Sequence, residues 1–274
     1  MNNIGFIGAG NMASSLIGGL IKSGFAPETL RASEPAGNIQ DRTDRLGIQV
    51  TADNCELAQW ADIIVLAVKP QVLQNVCKEI STTVAEKQPL LISIAAGIRI
   101  QSMMNWLAYD AAIVRVMPNT PALVSMGMSA LYANRYVSEG DKAVAQKILQ
   151  AVGQTLWLDD ENKMDGVTAI SGSGPAYFFL LMESLITAAG RQGLDEDTAR
   201  QLVLQTALGT AEMAMHSEAD PSELRRRVTS PGGTTESAIG VFQDNHFEDI
   251  TVSAVSAAAK RSVELSEILG EDNS

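Results

Sequence analysis

Ile4-Gly5-Phe6-Ile7-Gly8-Ala9-Gly10-Asn11-Met12-Ala13 is the stretch on which the fold turns. The apolar run 4–8 reads as a strand, and 12–23 behind it has the apolar spacing of a helix. Between them Gly8, Gly10 and Ala13 fit G-x-G-x-x-A. In that pattern the first glycine permits a tight turn and the second lets a pyrophosphate approach the backbone. The small third residue lets the helix pack on the strand. The helix N-terminus adds unpaired N–H groups and a partial positive charge for phosphate. Alone the hexapeptide is a weak signal, because a tight turn that binds nothing can carry the same letters. Its setting strengthens it: a second β-rich run, 30–34, ends on Glu34, where a carboxylate accepts hydrogen bonds from ribose hydroxyls.

Similar runs recur at 48–51, 62–68, 89–96, 112–117, 128–133 and 155–158. Ile63-Ile64-Val65-Leu66-Ala67-Val68 is apolar on both faces, as buried parallel strands are. Helical stretches such as 71–80 and 98–107 separate the earlier runs. The alternation predicts an α/β fold, a Rossmann-like doubly wound parallel sheet. The last two runs read as an antiparallel extension with a helix over 140–152 between them. After Asp159 the pattern changes, and 176–190, 195–215, 221–228, 235–244 and 250–269 all favour helix. Asp220-Pro221-Ser222-Glu223 reads as a helix start with an Asp cap, Pro in the first turn and Glu closing a capping box. The polar segment 159–163 places a boundary near Glu161. Residues 1–161 then form the dinucleotide-binding domain and residues 162–274 an all-helical one.

The 274 residues suggest two domains or one large one, and at 46% hydrophobic and 19% charged they hold enough apolar material for a sizeable core and are too apolar for wholesale disorder. With 20 Lys+Arg against 32 Asp+Glu, the net charge of −12 speaks against a nucleic-acid or acidic-membrane partner. The one dense basic run, Arg225-Arg226-Arg227, reads as a solvated helix face or an intersubunit ion-pair site. Cys55 and Cys77 are too few for a disulfide framework and show no metal-ligand spacing, so no metal is expected and a reducing compartment is. His216 and His246 are the only histidines, which leaves catalysis to a cofactor, hydroxyls and backbone amides. Residues 1–21 carry no charge and mimic a signal-peptide core, but no basic residue precedes them and glycines punctuate them, so they read as mature structure. No other uncharged apolar run reaches the roughly 18 residues of a bilayer span. A cytoplasmic protein without a membrane partner is expected.

Two further loops end strands on the presumed carboxyl edge of the sheet: Ala67-Val68-Lys69-Pro70 and Ser93-Ile94-Ala95-Ala96-Gly97. Their small residues suit a ribose and a nicotinamide lying on the backbone, or plain turns into helices. Lys69 reads equally as a catalytic acid or a surface lysine. Met117-Pro118-Asn119-Thr120-Pro121 is a rigid turn. Ser171-Gly172-Ser173-Gly174-Pro175-Ala176-Tyr177 permits close backbone approach to a ligand or to another helix. Thr229-Ser230-Pro231-Gly232-Gly233-Thr234-Thr235 follows one helix and opens the next. Its amides and hydroxyls suit a small carboxylate; the alternative is an interhelical turn with Thr caps.

Together these blocks resemble the pyrroline-5-carboxylate reductases over essentially the whole chain. The opening block is shared with many dehydrogenases, whereas Gly172 to Tyr177 and Ser230 to Thr235, at this separation, are highly specific. The resemblance implies hydride transfer from NADH or NADPH to 1-pyrroline-5-carboxylate, giving L-proline as the last step of proline biosynthesis. It further implies a helical domain that interlocks in a homodimer, with dimers assembling to a decamer. By motif match Phe6, Ile7, Gly8, Ala9, Gly10, Asn11 and Met12 line the cofactor phosphates, and Asn54 touches the adenosine side. Ala67, Val68, Lys69 and Pro70, with Ala95, Ala96 and Gly97, lie along the nicotinamide half. Ser230, Gly232, Gly233, Thr234 and Thr235 hold the substrate, with Glu218 near the same pocket and Thr235 hydrogen-bonded to the imine nitrogen. Glu34 stands where the family often has Ser, Thr or Asn. That departure leans the cofactor choice towards NADH, with Arg31 and Arg42 near enough in sequence to offset it.

Three rivals stand beside this reading. A β-hydroxyacid dehydrogenase would want a Lys between Gly174 and Gly190, where there is none. The others are an imine reductase for another ring and a dinucleotide sensor that turns nothing over.

Overall fold

The computed structural model describes residues 2–34 and 39–270. The outermost ends of the two expected domains, Met1 and 271–274, lie outside them. Eight strands form one sheet in the order β3-β2-β1-β4-β5-β6-β7-β8. They are β1 (Ile4–Ile7), β2 (Leu30–Ser33), β3 (Gln49–Thr51), β4 (Ile63–Leu66), β5 (Leu90–Ser93), β6 (Ile113–Met117), β7 (Gly127–Ala133) and β8 (Gly153–Trp157). Pairings from β3 through β6 are parallel and β7 runs antiparallel to β6. β8 is parallel to β7, so the two strands together run antiparallel to the other six, as the expected antiparallel extension requires. The helix between them works as a crossover, which brings the chain back in the same direction.

The helices of this sheet are α1 (Asn11–Lys22), α2 (Ile39–Leu46), α3 (Asn54–Trp60), α4 (Pro70–Lys87), α5 (Ile100–Leu107) and α6 (Glu139–Gln150). Alternation along β1 assigns the faces. Ile4 and Phe6 join Leu16, Ile17 and Leu20 of α1 and Ile148 and Leu149 of α6 in one core. Ile7 points the other way, into Leu57 of α3, Leu73 and Ile80 of α4 and Met103 and Trp106 of α5. Burying each such side chain stabilises by about 1.5–3 kcal/mol, so both faces must be covered. On β1 itself a Cβ at Gly5 would stand 2.9 Å from Ala61 Cβ, so the glycine lets the end of α3 approach.

Beyond β8 lie α7 (Met164–Val167), a wider turn over Thr168–Gly172, then α8 (Gly174–Arg191), α9 (Glu196–Met215), α10 (Pro221–Arg227), α11 (Thr234–Asp244) and α12 (Phe247–Gly270). The chain divides into two compact units, Met1–Ser173 with Ala258–Ser274, and Gly174–Ala257. The first unit therefore runs past the residue-161 boundary and takes back the end of the chain. Hydrogen bonds account for the first part: Asn119 Nδ2 donates to Ser171 O at 3.1 Å, and Arg115 meets Glu161 at 2.8 Å. Gly172 serves backbone approach here, since a Cβ on it would overlap Met117 Cε.

The second unit is all helix, as expected. At α10 Asp220 holds the cap position and Pro221 the first turn, but the Asp side chain caps nothing. Glu223 turns instead to Arg226 and to Arg227, whose Nε donates to it at 2.9 Å, so the basic run is partly spent within its own helix. On α8 Phe178, Phe179 and Leu180 are all exposed, as are Leu202 and Leu208 on α9. Residues 161–191 form the one stretch, among the described residues, long and apolar enough to cross a membrane.

Candidate active site

The carboxyl ends of β1, β2, β4 and β5 gather the expected cofactor residues on one edge of the sheet, where the strand order reverses around β1. Gly8 leaves β1 at φ +96°, and a Cβ there would lie 2.8 Å from the Ala67 carbonyl oxygen. Only glycine serves. Its N–H donates to Ser33 O at 2.9 Å, and Ala67 N–H donates to Ile7 O at 2.8 Å, so the first turn is locked to the ends of β2 and β4. Gly10 caps α1 without any side-chain hydrogen bond, the first turn of α1 carries no acid, and a Cβ on Gly10 would meet nothing within 4 Å. A helix N-terminus with free amides, no competing carboxylate and open space above its glycine fits a pyrophosphate.

Glu34 does more than close the strand. Its Oε2 accepts the Ala9 N–H at 2.7 Å, fixing the middle of the glycine turn. Arg42 Nη1 and Arg45 Nη2, both from α2, donate to Ala9 O at 3.2 and 3.4 Å, and Arg45 also donates to Ser14 Oγ at 3.2 Å. The two peptide groups flanking Ala9 are thus held by a carboxylate on its N–H and two guanidinium groups on its carbonyl. Arg31, expected as a possible offset to Glu34, lies instead over the Trp60 ring at 4.3 Å, because it sits towards the opposite end of β2. Arg45 is the residue that sequence reasoning missed; its position three residues after Arg42 on one helix was the available signal. Asn54 opens α3, accepts from Ser33 Oγ at 2.6 Å and donates to Glu79 Oε2 at 2.9 Å, which fixes its amide beside the end of β2.

Val68, Lys69 and Pro70 follow Ala67 into α4, with Lys69 at the cap position and exposed. Ala95, Ala96 and Gly97 follow β5, with Ala96 exposed and Gly97 at φ +75°. Cys77, buried behind this edge, has its thiol pushed up to about 12 by burial, so it supplies no thiolate. His216 and His246 are exposed on the second unit, beside Glu212 and Asp249.

In the second unit Gly232 takes φ +71°, and Gly233 in extended conformation caps α11 without a side-chain bond. Neither threonine is the cap. Among the described residues the hydroxyls of Ser230, Thr234 and Thr235 have no hydrogen-bond partner, and Thr235 is half-buried. Gly232 N–H donates to Glu236 Oε2 at 2.7 Å, an internal anchor that sequence reasoning did not foresee. Glu218 is exposed in the turn between α9 and α10. The turn can therefore offer first-turn amides and three free hydroxyls to a small anion.

Comparison with known proteins decides the family. Residues 161–265 match the model described as pyrroline-5-carboxylate reductase dimerisation, and residues 3–97 match one described as NADP oxidoreductase coenzyme F420-dependent. A pyrroline-5-carboxylate reductase of Pseudomonas aeruginosa is 51% identical over 98% of both chains. The chain belongs to the pyrroline-5-carboxylate reductase family. A solved pyrroline-5-carboxylate reductase from Coxiella burnetii superposes with a TM-score of 0.92 at 41% identity, over 97% of this chain and 98% of that one. The enzyme of Plasmodium falciparum, solved with NADP bound, follows at 0.86 and 34%, over 97% and 98%. The chain is thus an NAD(P)H-dependent oxidoreductase with a Rossmann-like domain and a helical dimerisation domain. The exposed apolar residues of α8 and α9 lie within the stretch matched to the dimerisation model, which supports a homodimer.

Proposed function

We propose that this chain reduces 1-pyrroline-5-carboxylate to L-proline by binding the cofactor on the β1–β2–β4–β5 edge and the ring carboxylate at 230–235. The observation that carries the division of labour is the pair of uncapped glycine-opened helices, α1 in one unit and α11 in the other. Each leaves backbone amides for an anion, one suited to a pyrophosphate and one to a carboxylate. Held along Ala67 to Pro70 and Ala95 to Gly97, a reduced nicotinamide would supply the hydride that the imine carbon accepts. The protonated imine already carries the electrophile, so the chain needs no strong general acid, in keeping with its having only two histidines. Phe6 to Met12 receive the pyrophosphate, Asn54 the adenosine side, and Ala67 to Pro70 with Ala95 to Gly97 the nicotinamide half. Ser230, Gly232, Gly233 and Thr234 hold the carboxylate with Glu218 beside them, while the Thr235 hydroxyl hydrogen-bonds the imine nitrogen.

For the cofactor, Glu34 favours a free ribose diol over a 2′-phosphate, and NADH is used well. Arg42 and Arg45 place positive charge close by, so NADPH is accepted too. Residues 162–274 serve dimerisation and substrate binding, dimers assemble to a decamer, and the enzyme works in the cytoplasm. Comparing oxidation of NADH with pyrroline-5-carboxylate against the six-membered homologue tests the substrate. The five-membered ring is preferred at least tenfold; equal rates would point to a general imine reductase.

A further inference from the structure

Two carboxylates outside the expected site converge on the turn after β5. Glu161 Oε1 accepts the Ile100 N–H at 2.9 Å and pairs with Arg115 Nη1 at 2.8 Å. The Arg115 side chain, on the interior strand β6, is only 3% exposed. Asp165 accepts Ser262 Oγ–H on Oδ1 at 2.7 Å and faces Arg99 Nη2 from Oδ2 at 3.5 Å, while Arg99 Nη1 donates to Asn162 Oδ1 at 2.8 Å. Asp165 and Ser262 are both buried. A Cβ on Gly97 would come 3.7 Å from Leu265 Cβ, so α12 also packs on the turn itself. The turn's own tethers are two, Ile94 N–H to Leu66 O at 3.2 Å and a longer one from Ala95 N–H to Ser93 Oγ at 3.4 Å.

We infer that Glu161 and Asp165 are positioning residues, which clamp Arg99 and Ile100 and so set where Ala95 to Gly97 stand. The inference rests on the reading that these three residues lie along the nicotinamide. Their placement then fixes the distance over which the hydride travels, and small errors in such a distance cost rate steeply. Ser262 lies on α12, which begins in the second unit and ends in the first, so the helix that steadies the clamp also belongs to the dimerisation unit.

Glu161→Gln and Ser262→Ala in the full-length dimer test this, each titrated calorimetrically with NADH and with ADP-ribose, which lacks the nicotinamide. Each variant binds NADH about fivefold more weakly and ADP-ribose as the wild type does, and kcat falls about tenfold. Ser262→Ala, the milder change, decides alone if Glu161→Gln does not fold. Equal weakening of both ligands, or a lower melting temperature with an unchanged NADH to ADP-ribose ratio, means a purely structural pair and overturns the inference. Ala96→Leu separates the two claims, since a bulky exposed side chain there hinders the nicotinamide alone. If Ala96→Leu binds NADH normally, the placement of the nicotinamide is wrong. If it weakens NADH while the clamp variants do not, the clamp alone fails.

Discussion

Thr235 stands in the first turn of α11 with Gly233, not a threonine, at the cap. A hydroxyl bonded to a charged nitrogen contributes roughly 1.5–3 kcal/mol. Thr235→Ala therefore lowers kcat/KM about 10- to 150-fold, and Thr235→Ser much less. A capping role would instead have cost about 1 kcal/mol of stability, and no such loss is expected in a melting experiment. Near-wild-type turnover of the Ala variant contradicts the role. Glu34 is the other residue on which a choice hangs. Wild type uses NADH with a kcat/KM within tenfold of NADPH or better, and Glu34→Ser shifts the ratio towards NADPH; a tenfold NADPH preference in the wild type contradicts this. The acid at the end of β2 was legible from its place in the sequence. Its bond to Ala9 N–H and the two arginines on Ala9 O were not, because the rotational phase of α2 is set by tertiary packing.

Among elements, β1 and α1 make the sharpest contrast. A Cβ on Gly10 meets no protein atom, whereas one on Gly153, at φ +152°, would overlap the Gly127 backbone. Gly10→Ala thus melts within a few degrees of wild type, yet binds NADH at least tenfold more weakly because the methyl occupies the phosphate's approach. Gly153→Ala breaks the β7–β8 pairing and lowers the melting temperature markedly. A Gly10→Ala enzyme with unchanged NADH affinity in calorimetry denies the turn its role. The buried strands were readable because runs such as 63–66 are apolar on both faces. So was the pair β7–β8, set against the other six strands with a helix between them. The capping of α10 by the Asp220 side chain failed, because Glu223 found arginines one turn on.

At the scale of the molecule, α8 leaves Phe178, Phe179 and Leu180 each about three-fifths exposed or more, a face that water does not tolerate unpartnered. Sedimentation at micromolar concentration shows no folded, active monomer; finding one contradicts an obligate dimer. Helical periodicity announced the second unit, but the return of α12 to the first could not be read from it, since its contacts with Gly97 and Asp165 join positions far apart in sequence. Incubating the enzyme with NADH and pyrroline-5-carboxylate, and quantifying L-proline against cofactor consumed, tests the account most directly. One proline forms for each NADH oxidised, and only when the imine is present. Cofactor binding without proline formation would make the chain a sensor and contradict the account.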